Sequence, residues 1–431
     1  MILPSIYVVW CYKTDNVLSF DTTASQFEKP AMQLHLTPED EVFRAEVRAF
    51  LRDVLPEPIR RRSRIGMHPV HDGDRRWWNE FLAQKGWSAP HWPKEYGGPG
   101  WTALQAHLFE YECRMAGAPE LRWQGLRLIG PVVYTFGTPA QKARFLPGML
   151  SGRTMWAQGF SEPGAGSDLA SLRTSAVLDG DHYIVNGQKI WTTDGTESDW
   201  GFFLVRTDTT SKPQRGISMI VLDLRSAGVT VRGIPTINGA CPVSEVFLQN
   251  VRVPADQMIG APGSGWDQAK FLLSNERTAS ADIEKSWSDL ERIRSIAAAE
   301  TRNGRKVIDD PGFAARLQEA ELMTQALQWS VLRVLANAPS DYPVAARASV
   351  LKVRGSELQQ YLTSLMVEAL GQRSLRLYRR EEAFDPSIIS PLWAEHVPGV
   401  VADHLYLRAL TIYGGAREVQ KNIIAKVAFG F

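Results

Sequence analysis

The chain has 431 residues, of which 44% are hydrophobic and 22% charged, a composition typical of globular proteins. Its 48 Lys and Arg residues balance 47 Asp and Glu residues, and the net charge of +1 offers no electrostatic basis for binding nucleic acid or an acidic membrane surface. The three cysteines are far apart and lack metal-ligand spacing, which predicts a reducing, cytoplasmic setting and no metal site. No apolar run approaches the ~20 residues that a membrane-spanning helix needs.

The first part of the chain indicates a helical domain over residues 32–153. Residues 1–31 show no regular pattern and no signal-peptide features, so we expect a disordered extension or an artefact of start-codon choice. Thr37 is a suitable N-cap for a helix that begins at Pro38 and carries acidic residues in its first turn. Further helical patterns cover residues 75–85, 103–115 and 139–150.

Short strand patterns dominate residues 154–264. The Asn186-Gly187 pair lies between two β-branched and aromatic segments and predicts a hairpin turn, and Asp179-Gly180 predicts another. Apolar runs at 202–205 and 218–222 are typical of buried strands. We therefore expect an antiparallel sheet domain here.

Helical periodicity returns after Gly265 and continues to the end of the chain. Residues 313–336 and 345–370 are long enough for a helical bundle, which predicts a C-terminal helical domain over 265–431. The order of helices, antiparallel sheet and helices predicts an α+β multidomain protein.

The segment with the most distinctive composition is residues 158–168, which we call the glycine loop. Gly164 and Gly166 allow a ligand to approach the backbone, and Ser161 and Ser167 offer hydroxyls for an anionic or heteroaromatic group. The spacing is not that of a dinucleotide fingerprint, because Leu169 occupies the third glycine position. On spacing alone, a plain glycine-rich turn is the commoner interpretation.

Several motifs in order identify a family resemblance. The glycine loop resembles the first signature of the acyl-CoA dehydrogenase family, and Trp191-Thr192-Thr193 resembles its Trp-x-Thr flavin contact. Residues 411–425 resemble the C-terminal signature, and the aromatic loop at 87–98 is similar to the N-terminal domain. The resemblance extends from about residue 36 to the end.

The resemblance implies an N-terminal helical domain, a β domain and a C-terminal four-helix-bundle domain. It implies FAD bound between the last two domains and touching a neighbouring subunit, with acyl-CoA as the substrate. It further implies fatty acid or other lipid degradation, an electron-transfer flavoprotein as electron acceptor, and a dimer of dimers that is homomeric or heteromeric.

The resemblance also carries over to individual residues. The residues that would contact FAD are Gln158, Phe160, Ser161, Ser167, Trp191, Thr193 and Glu418. Taken alone, Trp191 is more simply a buried strand aromatic. The residues that would contact the acyl-CoA are Ser167, Ser274, Arg277, Gly414 and Gly415. The Gly414 amide would hydrogen-bond the thioester carbonyl.

The expected catalytic base is displaced from its commonest place in the family. Removal of an α-proton needs a carboxylate, and in many members that Glu follows the Tyr of the C-terminal signature. Here Gly414 occupies that position and has no side chain. In members that resemble isovaleryl- and long-chain acyl-CoA dehydrogenases the base lies in a Glu-Arg pair on a helix, which predicts Glu276 as the base and Arg277 as its neighbouring charge.

Two further departures leave alternatives open. The resemblance implies an arginine that contacts the partner subunit's FAD diphosphate, for which either Arg302 or Arg305 would substitute, and residues 370–373 stand where the family has a glycine-rich segment that meets the adenine. A flavin monooxygenase or nitroalkane-type oxidase on the same fold is one alternative function. A partner subunit without catalysis of its own is the other.

Overall fold

Helices, a sheet and further helices follow one another in the computed structural model, as the sequence predicts. The structure describes residues 36–66, 72–121, 124–279, 281–336, 340, 342–378, 382, 385, 387 and 397–431, with side chains except at 72 and 274–279. Residues 37–431 form one compact unit. The extension predicted for residues 1–31 lies outside the described residues.

The N-terminal part is helical, as the sequence predicts. Its helices are α1 (Pro38–Val54), α2 (Glu57–Arg64), α3 (Asp72–Lys85), α4 (Ala103–Ala116), α5 (Gly130–Phe136) and α6 (Pro139–Leu150). Thr37 caps α1 through a reciprocal capping box with Asp40, which confirms the predicted start. A π-helical turn, Gln124–Ile129, precedes α5. Val47, Leu51 and Trp78 are buried in the core that α1 to α4 share.

The middle of the chain forms one sheet. Its strands are β1 (Trp156–Gly159), β2 (Ser175–Asp179), β3 (His182–Thr193), β4 (Trp200–Arg206), β5 (Ile217–Asp223), β6 (Val229–Ile234), β7 (Val243–Pro254) and β8 (Met258–Ile259). The strand order is β6-β7-β3-β2-β4-β5-β8, and β1 pairs with β4. The pairing is antiparallel apart from β1–β4 and the single bridge between β2 and β4. The two predicted apolar strands are the buried centres of β4 and β5.

The prediction of a hairpin at Asn186-Gly187 is wrong. Both residues lie inside the continuous strand β3, where the register against β7 shifts at a β-bulge. Gly187 has a φ of +155°, and a Cβ there would lie 2.4 Å from the Thr174 hydroxyl. The chain instead turns at Asp179-Gly180, the second predicted turn, where β2 pairs with β3.

The C-terminal part is helical. Its elements are α7 (Gly265–Ala279), α8 (Ile283–Ala299), α9 (Pro311–Leu335), α10 (Val344–Leu370), α11 (Val400–Tyr406) and α12 (Arg417–Phe429), with a small hairpin of β9 (Thr301–Arg302) and β10 (Arg305–Lys306). The long central helix α10 packs against α7, α8, α9 and α12. The predicted fold class is therefore confirmed, and the domain boundaries near residues 153 and 264 stay predictions.

The described segments match neither the geometry of membrane-spanning helices nor that of metal sites. None of the helices there is both long and apolar enough to cross a bilayer. The His, Cys, Asp and Glu residues of the same segments form no group that could hold a metal ion.

Candidate active site

The glycine loop leaves the sheet at the end of β1. Reciprocal backbone hydrogen bonds between Glu162 and Ala165, of 2.9 and 3.0 Å, close a tight turn. A Cβ added at Gly164 or Gly166 would meet no atom within 4 Å. The two glycines therefore present open backbone to a ligand and are not required by packing within the chain.

A buried ion pair anchors the glycine loop from below. Lys189, on β3, is fully buried and donates to Glu162 Oε1 at 2.8 Å and to the Phe160 carbonyl at 3.1 Å. The Glu162 carboxylate also accepts the backbone amides of Arg173 and Thr174. Burial lowers the pKa of Lys189 to about 8 although Glu162 opposes the shift. Burial alone would raise the pKa of Glu162, but the Lys189 charge and the hydrogen bonds to Glu162 have a larger, opposite effect. The pKa is therefore lowered from its usual value, and the carboxylate is charged at neutral pH.

The predicted flavin contacts occupy different environments. Ser167 is exposed, and Gln158, Ser161 and Thr193 are half-buried around the same strand ends. Phe160 points into the core, with its ring 5.8 Å from Phe202 in an edge-on arrangement, so only its main chain is available to a ligand.

Trp191 is the most unusual of these side chains. It has a φ of +61°, which is strained for a bulky residue, and its side chain is 58% exposed. It lies where the β3–β7 register shifts between Lys189 and Thr192. The buried-strand interpretation of Trp191 is therefore wrong, and an exposed aromatic face beside the glycine loop favours a planar ligand.

A cavity of about 400 Å³ lies between the N-terminal helices and the segment that follows α7. We call it the charged cavity, because its apolar wall is interrupted by acidic and basic side chains, among them His91, His107, Glu110, Arg127, Asp282 and Glu284. Sequence reasoning missed this cluster. The residues come from four separate segments, so no motif spacing indicates that they meet.

The C-terminal signature, residues 411–425, begins close to the end of β3 and to the charged cavity. Tyr413 is 6.1 Å from Tyr406, ring to ring. Burial raises the pKa of Tyr406 to about 12, and the charge of Asp194, which follows the Trp-x-Thr motif, adds to the shift. Desolvation also raises the pKa of Tyr413, although 40% of its side chain is exposed, and Asp282 is among the charges that act on it. The loop that contains Gly414 is therefore near the end of β3 and the charged cavity.

The helix that carries the predicted base borders the same region. Helix α7 packs on the π-helical turn and on α5. The ring centroids of Phe271 on α7 and Phe136 on α5 are 5.4 Å apart. The π-helical turn and α5 both contribute residues to the charged cavity. The side chains of Ser274, Glu276 and Arg277 lie outside the described residues, so their predicted roles stay predictions.

The remaining candidates lie at the far end of α10 and in α12. Arg302 donates to the Glu368 carbonyl at 2.6 Å, near the predicted adenine segment at 370–373. Arg305, its partner in the β9–β10 hairpin, is exposed. Glu418 is in the first turn of α12 and forms an exposed ion pair with Arg417 at 3.1 Å.

Comparison with known proteins agrees with this architecture. Sequence models of the acyl-CoA dehydrogenase N-terminal, middle and C-terminal domains match residues 37–153, 157–251 and 263–429. The chain is 35% identical over 401 residues to acyl-CoA dehydrogenase IpdE1 of Mycobacterium tuberculosis (strain ATCC 25618 / H37Rv), covering 90% of this chain and 97% of that protein. The chain belongs to the acyl-CoA dehydrogenase family.

Other acyl-CoA dehydrogenases and solved structures extend the similarity. FadE26 of the same organism is 32% identical over 410 residues, covering 93% of this chain and 98% of that protein. The ChsE4-ChsE5 complex from Mycobacterium tuberculosis matches with a TM-score of 0.76 and 32% identity, over 93% of this chain and 99% of that one. A Tcur3481-Tcur3483 steroid ACAD matches with a TM-score of 0.77 and 27% identity, with the same coverage.

Membership makes this chain an oxidoreductase of a family that generally binds FAD. The residues present fit such a cofactor. The glycine loop offers open backbone, and the strained, exposed Trp191 offers an aromatic face beside it.

Proposed function

We propose that this acyl-CoA dehydrogenase removes hydrogen from Cα and Cβ of an acyl-CoA thioester to give the trans-2-enoyl-CoA. The observation that carries the proposal is the pairing of an open, anchored glycine loop with Trp191. A loop that serves only as a turn needs neither a buried ion pair beneath it nor a strained tryptophan next to it. Both features are expected where a flat cofactor is held.

FAD is the proposed cofactor, and when bound it supplies the hydride acceptor. Ser161, Ser167 and the main chain of Phe160 would hold its polar edge, with Trp191 packed against the ring system and Gln158 and Thr193 alongside. Arg305, which is exposed and on the same hairpin as Arg302, is our candidate for the diphosphate of a neighbouring subunit's FAD. Glu418 is proposed as a further contact at the start of α12.

Glu276 is the proposed base for the α-proton. Gly414 has no side chain for this role, and its φ of +66° belongs to a loop near the charged cavity. Its backbone amide would hydrogen-bond the thioester carbonyl as negative charge develops there. Desolvation on substrate binding would bring the pKa of Glu276 towards neutrality. Ser274, Arg277 and Gly415 would complete the contacts to the thioester.

The test is anaerobic reduction of the flavin by a panel of acyl-CoA thioesters. Glu276→Gln should retain FAD and bind enoyl-CoA, yet react about 10²–10⁴ times more slowly, because general-base catalysis is lost. Glu291→Gln, at an exposed position on the neighbouring helix, is the matched control and should react normally. Reduction of Glu276→Gln at the control rate would contradict the assignment.

A second experiment tests whether the base can be moved. Glu276→Gly combined with Gly414→Glu should restore part of the reaction, because the family reaches the same α-carbon from either position. The single Glu276→Gly variant is its reference. A flavin that no thioester bleaches but that reacts with oxygen would instead favour the monooxygenase or oxidase alternative.

The assembly is proposed to be a dimer of dimers, with an electron-transfer flavoprotein as the electron acceptor. The names ChsE4-ChsE5 and Tcur3481-Tcur3483 each join two proteins, which supports a heteromeric form. The C-terminal helices and their connections expose large apolar side chains: Leu322, Trp329, Ile412, Val427 and Phe429. Light scattering distinguishes this assembly from a monomer of 48.1 kDa.

A non-catalytic partner subunit would be colourless when purified alone, whereas the proposed enzyme is yellow.

A further inference from the structure

The charged cavity is an unusual place to put a hydrocarbon chain. Its volume of about 400 Å³ is within the range of small-molecule sites. Trp92, Phe109 and Leu126 supply apolar wall, as a simple acyl chain requires. The acidic and basic side chains between them would bring only desolvation costs to such a substrate.

Most of these charges are matched within the protein. Glu110 forms an ion pair with Arg127, and His91 Nε2 lies 3.2 Å from Glu110 Oε1. His107 Nδ1 lies 2.8 Å from Glu284 Oε1. Burial alone would lower the pKa of His107, but the hydrogen bond and charge of Glu284 have a larger, opposite effect. The pKa of His107 is therefore raised, which favours the ion pair with Glu284. These groups therefore shape the wall and place no demand on a ligand.

Asp282 is the exception in this wall. Among the residues that the structure describes, its carboxylate has no hydrogen bond and no ion pair within 4 Å. It occupies the N-cap position of α8, but its side chain does not cap the helix, so the usual structural role of such an aspartate is not fulfilled. Burial raises the pKa of Asp282 to about 6. An unpartnered carboxylate facing a cavity needs a hydrogen-bond donor.

Surrounding charges restrict what that donor can be. The positive charges of Arg114 and Lys285 lower the pKa of Asp282, and the negative charges of Glu120 and Glu284 raise it. An ammonium group would be attracted by Asp282 but would incur a large desolvation cost in a cavity with apolar walls, and a carboxylate group would be repelled by Asp282 and the second pair. A neutral hydroxyl group donates to Asp282 without adding charge. It is the ligand group that this wall fits best.

The position of Asp282 relates it to the proposed reaction. It follows α7 in the chain, and α7 carries Glu276 and packs on the elements that line the charged cavity. The backbone of α7 and Asp282 therefore both lie beside the elements that line the charged cavity.

We infer that the substrate's acyl group carries a hydroxyl at a distance from the thioester, and that Asp282 accepts its hydrogen bond in the charged cavity. This inference rests on the proposed function and names its substrate class as hydroxylated acyl-CoA thioesters. Asp282 is assigned as a specificity-determining residue that is distinct from the base.

Three thioesters of one skeleton test the inference: 3-cyclohexylpropanoyl-CoA, its 4-hydroxy derivative and its 4-carboxy derivative. The flavin-loaded protein, with any subunit that copurifies, should bind the hydroxylated compound about tenfold more tightly than the unsubstituted one, because a hydrogen bond to a charged group is formed. The carboxylated compound should bind more weakly than both. Calorimetry measures binding, and anaerobic flavin reduction measures the reaction separately.

The key variant is Asp282→Gly, because Asp282 has a φ of +42° that glycine adopts without strain. It should lose the tenfold preference and still be reduced by the unsubstituted thioester. Asp282→Asn should keep part of the preference, since its amide oxygen still accepts. Asn250→Gly, at an exposed position with a φ of +50°, is the matched control and should keep the full preference.

The outcomes separate the two proposals. Equal binding of the hydroxylated and unsubstituted thioesters, or a preference that survives in Asp282→Gly, would overturn the inference while reduction by either compound upholds the dehydrogenase function. Selective binding of the hydroxylated compound with no flavin reduction would uphold the Asp282 subsite and overturn the proposed function. Absence of both binding and reduction would overturn both.

Discussion

Beneath the glycine loop, the buried Lys189 and Glu162 satisfy each other and three main-chain groups, whereas the wall of the charged cavity includes a carboxylate with no partner among the described residues. The buried charges beneath the glycine loop hold the backbone of that loop in place. The wall of the charged cavity leaves Asp282 available. Burial of a charge therefore has no single meaning: a paired charge supports the local structure, whereas an unpaired one is available to bind a ligand.

The largest effect should come from breaking the support. Lys189→Met leaves Glu162 buried without its counter-ion, which should lower the free energy of unfolding by about 3–5 kcal/mol and reduce FAD occupancy. Chemical unfolding and flavin absorbance measure the two effects.

A double variant sharpens this prediction. Lys189→Met with Glu162→Gln removes both charges and should recover part of the loss, because no uncompensated charge stays buried. A single Lys189→Met variant with unchanged stability and full FAD content would show that the ion pair does not anchor the glycine loop.

The unpaired charge should behave in the opposite way. The pKa of Asp282 is raised from 3.8 to about 6 in the folded protein, so its charged form is penalised on folding. The cost is absent below about pH 4, grows between pH 4 and 6 and is complete above it. Asp282→Asn should therefore stabilise the protein on the order of 2 kcal/mol at pH 7.5 and hardly at all at pH 4, as measured by unfolding at both values.

A paired aspartate provides the contrast. Asp289 is buried, and its Oδ2 lies 2.5 Å from Lys285 Nζ. Asp289→Asn should therefore destabilise the protein at pH 7.5, because the Lys285 ammonium loses its counter-ion. If both substitutions changed stability in the same direction, the distinction between paired and unpaired charges would fail.

Two glycines of the β domain should respond differently to substitution. Gly187→Ala would place a Cβ 2.4 Å from the Thr174 side chain, in a backbone conformation that alanine rarely adopts, so stability should fall by about 1–3 kcal/mol. Gly164→Ala meets no atom within 4 Å and should leave the melting temperature unchanged while it weakens FAD binding. Melting curves of the flavin-free proteins, with FAD titration, test both; equal losses of stability would contradict the assignment.

Local signals explain which parts of this structure the sequence predicts. Thr37 and Asp40 fix the start of α1 within one helical turn, and Thr138 does the same for α6, so both helices were predictable. Asn186-Gly187 misled because a strong local turn preference was overridden by the pairing of β3 with β7 along its length. The family motifs were recognisable from their order, but the role of Lys189 was not, since it depends on which loop packs over its strand.

The charged cavity marks the limit of motif reasoning. Glu110 is on α4, Arg127 is in the π-helical turn and Asp282 lies between α7 and α8, so their proximity is a property of tertiary packing alone. Nothing in the sequence around Asp282 distinguishes it from an ordinary N-cap. Its significance appears only when its side chain is found not to cap α8.

The anchored glycine loop also has a consequence for how the protein acquires its cofactor. Because Lys189, Glu162 and their amide partners hold the loop through bonds within the chain, binding of FAD need not order it and incurs little conformational-entropy cost there. We expect the glycine loop to be formed before flavin binds. Flavin would then be exchangeable in the mature protein, and cellular flavin supply would set the active fraction of a pool that is already folded.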